Sequence, residues 1–129
     1  MPSIFTRIIK GEIPCEKILE DDRFLAFLDI RPINPGHTLV VPKTEIDELF
    51  DLGDDVLASA LPFAKTVARA LKKSVPCRRV GILVAGFEVP HAHIHLVPIQ
   101  EEGELTFSRA RPAQPDAQAL LARKIRENL

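Results

Sequence analysis

Three of the chain's four histidines fall within five positions, His91-Ala92-His93-Ile94-His95, followed by Leu96 and Val97. A β-strand turns alternate side chains to the same face. This spacing therefore predicts three imidazoles in a row, roughly 6.5–7 Å apart at Cα, with Ala92, Ile94 and Leu96 on the opposite face. A helix would scatter them, because only positions three and four apart meet. Imidazole titrates near neutrality and can attack, accept or donate a proton without a large shift. A row of this kind can supply a nucleophile, a group that sets its tautomer and a proton source for a leaving group. Two other readings fit the same spacing: strand histidines satisfied by hydrogen bonds, and a zinc site. Zinc would need a distant fourth ligand such as His37, since no cysteine or further histidine lies close by in sequence.

The elements that must position this row follow from local pattern. Ile4, Phe5, Ile8 and Ile9 share one face of a short helix that starts after Ser3, as N-cap, and is ended by Gly11 and Pro14. Residues 17–20 and 23–30 read as two strands around the acidic turn Asp21-Asp22, the second apolar on both faces except at Asp29. Alone, Asp29 reads equally well as a turn-forming carboxylate before Arg31-Pro32. After the loop 32–36, residues 37–41 form a β-branched strand closed by Pro42. Thr44 with Asp47 predicts a short helix lined by Ile46, Leu49 and Phe50 and stopped by Gly53. Asp54 then caps a long helix over 55–74, with Leu57, Leu61, Ala64, Ala68 and Leu71 along its apolar stripe and a kink at Pro62. Residues 80–87 are a mostly apolar strand, antiparallel to the histidine strand after the loop 88–90. Pro115 opens a final helix with Leu120, Leu121 and Ile125 facing the protein.

Composition narrows the class. The 129 residues suit one domain with its own core, 46% of them are apolar, and 17 basic against 18 acidic residues leave a net charge of −1. No broad affinity for nucleic acid is expected from that balance. Cys15 and Cys77 form neither a metal motif nor a disulfide framework, which suits the cytoplasm. Arg7 and Lys10 interrupt the apolar start, so no signal peptide is expected, nor a membrane span.

The triad with its apolar flanks does not stand alone. Ile4-Phe5, Gly11-Glu12-Ile13-Pro14, Glu20-Asp21-Asp22, Ala26-Phe27-Leu28-Asp29-Ile30 and Pro35-Gly36-His37-Thr38-Leu39-Val40-Val41-Pro42-Lys43 stand in the same order. Together they resemble the histidine triad (HIT) nucleotide-binding proteins over about residues 3–99, nearest the phosphoramidase-like branch. The resemblance implies a single α+β domain over 1–129. It would hold a central antiparallel sheet of about five strands, a long helix and short terminal helices, the loop and helix of 100–129 lying beyond the motifs. It further implies a homodimer joined through the long helix and an edge strand. The implied activity is hydrolysis of purine nucleoside phosphoramidates, or related nucleoside monophosphate derivatives, through a nucleotidyl-histidine. In that scheme His93 is the nucleophile, His95 contacts phosphate and helps protonate the leaving group, and His91 and His37 orient and tune His93. Ile4, Phe5, Ile8, Phe27, Ile30 and Val89 fall to the nucleotide pocket, and Asp29 to the ribose hydroxyls. No cofactor or metal is implied, and no nucleic acid or membrane partner.

Two departures from the family pattern qualify this. Many members hold a structural zinc through two cysteines near the start and a later histidine; here those positions are Ser3, Thr6 and Glu45, poor zinc ligands, so no structural zinc is expected. The asparagine and Gly-Gln-Ser that hold phosphate oxygens in the phosphoramidase-like branch are replaced by Val80 and Gly86-Phe87-Glu88. Glu88 beside a phosphate would repel it and is expected to be a surface charge, leaving main-chain N–H groups near 86–89 to serve the phosphate. Rival readings are a nucleotide-binding or scaffold protein with little turnover, and a dinucleoside polyphosphate hydrolase.

Overall fold

The computed structural model describes all 129 residues. Five strands, β1 (Lys17–Glu20), β2 (Phe24–Leu28), β3 (Thr38–Pro42), β4 (Arg79–Leu83) and β5 (Ile94–Ile99), form one antiparallel sheet in the order β1-β2-β3-β5-β4. Three helices pack on it: α1 (Ile4–Ile9), α2 (Asp54–Ser74) and α3 (Pro115–Glu127). This is the expected α+β arrangement, and no helix is long and apolar enough to cross a membrane.

Alternation along the strands sorts the two faces. Phe24, Ala26, Leu28, Val40, Ile94 and Leu96 turn to one side, into the main core with Phe63, Ala64, Val67 and Leu71 of α2 and Ala122 and Ile125 of α3. Leu25, Phe27, Leu39 and Val41 turn to the other, against Phe5 of α1. Every residue of β2 and β3 is therefore buried, as in a sheet covered on both sides. Each large apolar side chain so buried contributes roughly 1.5–3 kcal/mol. Beyond α1 the second face continues over Val97 and Ile99, which Ile33 and the C-terminal residues Leu105, Phe107 and Ala110 cover.

Local chemistry shapes the connections. Asp21 Oδ1 accepts from the N–H groups of Arg23 and Phe24, each at 2.8 Å, closing the β1–β2 turn. Ser3 caps α1, its Oγ accepting from Thr6 N–H at 3.0 Å. A six-residue helix is too short to persist alone, so α1 depends on what it packs against.

The structure differs from the sequence reading at several elements. The histidine strand begins only at Ile94; Ala92 N–H bonds to Ile46 O at 2.7 Å, which takes residues 91–93 out of the ladder. β4 stops at Leu83 rather than 87, and the predicted helix after Thr44 is a single 3-10 turn, Leu49–Asp51, with Phe50 exposed. Asp54 is the first residue of α2, not its cap, while the helix continues through Pro62 as its periodicity predicts. The buried stripe of α2 holds Ala60, Phe63, Ala64, Val67, Ala70 and Leu71, so Leu61 is left 61% exposed beside the stripe. In α3, Ile125 and Leu121 do pack inward, whereas Leu120 is exposed and Gln118 and Ala122 take the buried places.

Gly36, at φ +93°, closes the β2–β3 loop directly before His37, and a Cβ there would lie 3.0 Å from Val75 Cγ2 and 3.1 Å from Pro98 Cγ. Gly36→Ala is thus expected to cost about 2–4 kcal/mol, combining left-handed strain with overpacking. Gly11→Ala, also at positive φ but with open space around it, should cost about 1–2 kcal/mol by the first effect alone. Urea unfolding of both variants measures the difference, and equal losses would show that packing at Gly36 is loose.

Candidate active site

All four histidines are buried, and each ring has a hydrogen-bonded anchor. His93 Nδ1 lies 2.7 Å from the backbone carbonyl of His91. A carbonyl only accepts, so Nδ1 carries the proton and neutral His93 has a bare lone pair on Nε2. His37 Nδ1 accepts from Ile33 N–H at 2.9 Å, which puts its proton on Nε2, 2.9 Å from His95 Nδ1. His95 must then accept at Nδ1 and carry its own proton on Nε2. His91 donates from Nε2 to Pro42 O and accepts at Nδ1 from the Ser3 hydroxyl, both at 2.7 Å. The Nε2 atoms of His93 and His95 have no protein partner, yet no buried polar side-chain atom is left unpaired. Those two atoms therefore reach open space, a nucleophilic lone pair beside an N–H donor, on rings 4.9 Å apart at their centroids.

This assignment corrects the sequence reading in one respect. His37 braces His95, not His93. His91 orients His93 through its main-chain carbonyl, while its ring faces Pro42 and the N-terminus of α1. The alternation itself persists: Phe5 meets the rings of both His91 and His93 edge to face, so both lie on the α1 side of the sheet.

The open atoms face a cleft of about 420 Å³, lined by His37, His93 and His95 at its floor. Of the residues expected at the nucleotide, Ile4, Phe5, Asp29, Ile30 and Val89 line it. Ile8 and Phe27 pack behind Phe5 instead, Phe27 with its ring centroid 5.7 Å from that of Phe5. His91 has no exposed surface and stays behind the cleft. Arg31, Leu39, Glu88, Phe107 and Ala110 complete the lining, and of these only Glu88 had been weighed from the sequence. Leu39 was available from its alternation with His37; nothing local to Phe107 or Ala110 announces them. Glu88 is a surface charge as expected, but one at the cleft's edge. Val80 lies in β4, away from this cleft, and Phe87 is 96% exposed.

Burial controls the charges. It pushes His37 down to about 4 and His95 down to about 3, the latter also through the neighbouring His37 and His93 rings. Both are neutral at pH 7, so His95 offers a neutral N–H. Asp29, directly after β2, is raised chiefly by burial, against the opposing bond that its Oδ1 accepts from Arg31 N–H at 2.9 Å. Asp29 Oδ2 stands 3.6 Å from His37 Nε2.

Two places bear on metal binding. Asp29, His37 and His95 bring ligand atoms within 4.8 Å of one another. The 2.9 Å His37–His95 separation is a hydrogen bond, however, and a cation would have to displace that proton and the tautomers it sets. Ser3, Thr6 and Glu45, the zinc positions of the resemblance, do converge, and on His91. Glu45 Oε1 accepts from Ser3 N–H at 2.7 Å and from the Thr6 hydroxyl at 2.5 Å, while the Ser3 hydroxyl holds His91. Hydrogen bonds thus tie α1 to the triad with side chains that are weak zinc ligands.

The buried rings fix a pH dependence. Above about 6.5, folded and unfolded chains both hold His37 and His95 neutral; below it the unfolded chain takes up protons that the folded one refuses. Stability therefore falls as pH drops from 6.5, with a slope approaching ~1.4 kcal/mol per pH unit for each ring. Glu20 and Glu45, held below their ordinary 4.5, add loss only at lower pH, and Asp29 acts in the opposite sense. Urea titrations between pH 7 and 5 should show this slope, reduced by about half in His37→Asn. An unchanged slope would mean that His37 is not held neutral by the fold.

Comparison with known proteins agrees with this arrangement. The HIT domain model matches residues 10–102. An uncharacterized HIT-like protein of Methanocaldococcus jannaschii is 43% identical over 108 residues, covering 79% of this chain and 83% of that protein. The adenosine 5′-monophosphoramidase of Saccharomyces cerevisiae is 41% identical over 100 residues, 77% of this chain and 63% of the yeast protein. Among solved structures, a HIT-like protein from Bartonella henselae, crystallised with an unknown ligand, superposes with a TM-score of 0.87 at 31% identity, covering 98% of this chain and 96% of that one. With its triad, its sheet and these relatives in agreement, the chain belongs to the histidine triad (HIT) family.

Proposed function

We propose that the protein hydrolyses nucleoside 5′-monophosphate derivatives, with purine phosphoramidates as the favoured class, through a nucleotidyl-histidine. One observation carries this reading: the unprotonated Nε2 of His93 and the Nε2–H of His95 stand side by side at the floor of the cleft. His93 Nε2 attacks the α-phosphorus as the bond to the leaving amine breaks. His95 Nε2–H donates a hydrogen bond to the phosphate beside the departing nitrogen, which draws its proton from water because the neutral ring has only one to keep. Water then attacks the phosphorus of the nucleotidyl-His93, frees the nucleoside monophosphate and restores the ring. Ile4, Phe5, Ile30 and Val89 offer an apolar slot for a base, and Asp29 an acceptor for ribose hydroxyls. The amidase named among the relatives supports the leaving-group class.

A homodimer is part of the same proposal. The side of α2 left exposed at Leu61 and the edge strand β4 together line an apolar groove of about 460 Å³, with Ala68, Val80, Ile82 and Leu96. A second copy placed against it would cover Leu61 and Ile82, respectively 61% and 48% exposed. Sedimentation of the wild type is expected to give a dimer and of Leu61→Glu/Ile82→Lys a monomer; a monomeric wild type would remove this part.

For the chemistry, His93→Ala should lower turnover of an adenosine phosphoramidate by roughly 10³ or more while adenosine monophosphate binds within about tenfold of wild type. Wild-type protein quenched in acid-free denaturant during turnover should carry a nucleotidyl mass on the peptide that contains His93. Near-normal turnover by a folded His93→Ala protein, free of contaminating enzyme, would defeat the mechanism. Nucleotide binding without turnover by the wild type would favour the scaffold reading.

A further inference from the structure

The HIT domain model ends at residue 102, but the cleft does not. Residues 104–113 run back over the site face as a strap and place Phe107 and Ala110 in the cleft lining. Their attachment is specific. Ala113 N–H bonds to Ile30 O at 3.1 Å and Arg111 N–H to Pro32 O at 3.2 Å. Asn34 joins three partners: its Nδ2 donates to Pro98 O and Glu104 Oε1, and its Oδ1 accepts from Arg109 at 2.8 Å. The strap is thereby locked to the loop that carries Asp29 at one end and His37 at the other.

We propose that Phe107 is a positioning residue of the active site: it closes one side of His95 to water and holds that ring with its Nε2–H turned to the cleft. The Phe107 and His95 rings meet edge to face, centroids 4.9 Å apart at 65°. His95 already has His37 at Nδ1 and the His93 ring beside it, and it retains 2% of its surface. Phe107 is the contact that comes from outside the sheet. Taking it away admits water to an imidazole whose neutrality rests first on burial. The titratable and charged groups around His95 are His37 directly before β3, His93 preceding β5, Asp29 after β2, and Arg31 and Glu88 at the cleft. The strap's own charges are engaged elsewhere: Glu104 and Arg109 on Asn34, and Arg111 on the carbonyls of Ser108 and Ala110. Phe107 thus acts on His95 by shielding alone.

The proposal builds on the role given to His95 above, and its test reads the ring directly rather than turnover. Nitrogen-15 NMR titration of the full-length protein follows the His95 imidazole in wild type, Phe107→Leu and Phe107→Ala. Wild type and the leucine variant, which keeps an apolar cover, should show no His95 protonation down to about pH 5. The alanine variant should bring its midpoint up by about two pH units, into the titrated range near pH 5, and turnover of an alkylamine phosphoramidate should drop about tenfold or more. Should the alanine variant fail to fold, Phe107→Val, with smaller coverage, is expected to shift the midpoint in the same direction. A folded alanine or valine variant whose His95 titrates as in wild type overturns the proposal. A shifted His95 in a protein whose wild type turns over no phosphoramidate leaves the shielding intact and defeats the hydrolase reading instead.

Discussion

A neutral imidazole has two nitrogens and one proton, and that asymmetry governs this molecule. Four buried rings present eight nitrogens, and six are committed to partners inside the protein: Ile33 N–H, the mutual His37–His95 bond, the His91 and Pro42 carbonyls and the Ser3 hydroxyl. The commitments propagate. An N–H donor at one end of the His37–His95 pair decides which nitrogen of the far ring is protonated, and a carbonyl does the same for His93. The two nitrogens left over are the ones that face the cleft, and they are unlike. A chemically useful pair emerges from bonds that never touch a ligand.

The surrounding fold supplies what those bonds require. Unprotonated buried histidines demand partners of defined polarity, and the sheet provides them because its site face changes character along its length. It is aromatic and aliphatic under α1, imidazole-lined in the centre and aliphatic again beneath the strap. The opposite face is mainly apolar against α2 and α3 and carries most of the hydrophobic stabilisation. Most buried polar side chains thus gather on the site face, and each buried polar side-chain atom finds a partner.

Much of this was visible in the residue pattern, for reasons that depend on periodicity. Alternation placed the triad and the β2 and β3 cores on the right faces, helical spacing placed Phe5, and the Asp29 and His37 matches fall at two further residues of the cleft. The failures share another cause: they are decided by contacts distant in sequence. Ala92 leaves the ladder because Ile46 O competes for its N–H. The α2 stripe is rotated so that Phe63 and Val67 meet the core in place of Leu61. That His37 braces His95 while His91 holds His93 through its carbonyl follows from 2.9 and 2.7 Å contacts that no spacing rule encodes. Phe107 reaches His95 through a strap held by Asn34, a contact settled only by the finished fold.

β5 separates the chemistry from the core by the thickness of one polypeptide. His95 projects from it to the cleft, while its immediate neighbours Ile94 and Leu96 are knobs of the main hydrophobic cluster on the other side. Close-packed interiors resist compression, so the reacting nitrogens inherit the stiffness of the hydrophobic layer behind them. No hinge lies between the two. The paired geometry of the two cleft-facing nitrogens accordingly exists before any ligand arrives, and binding energy need not be diverted into assembling it.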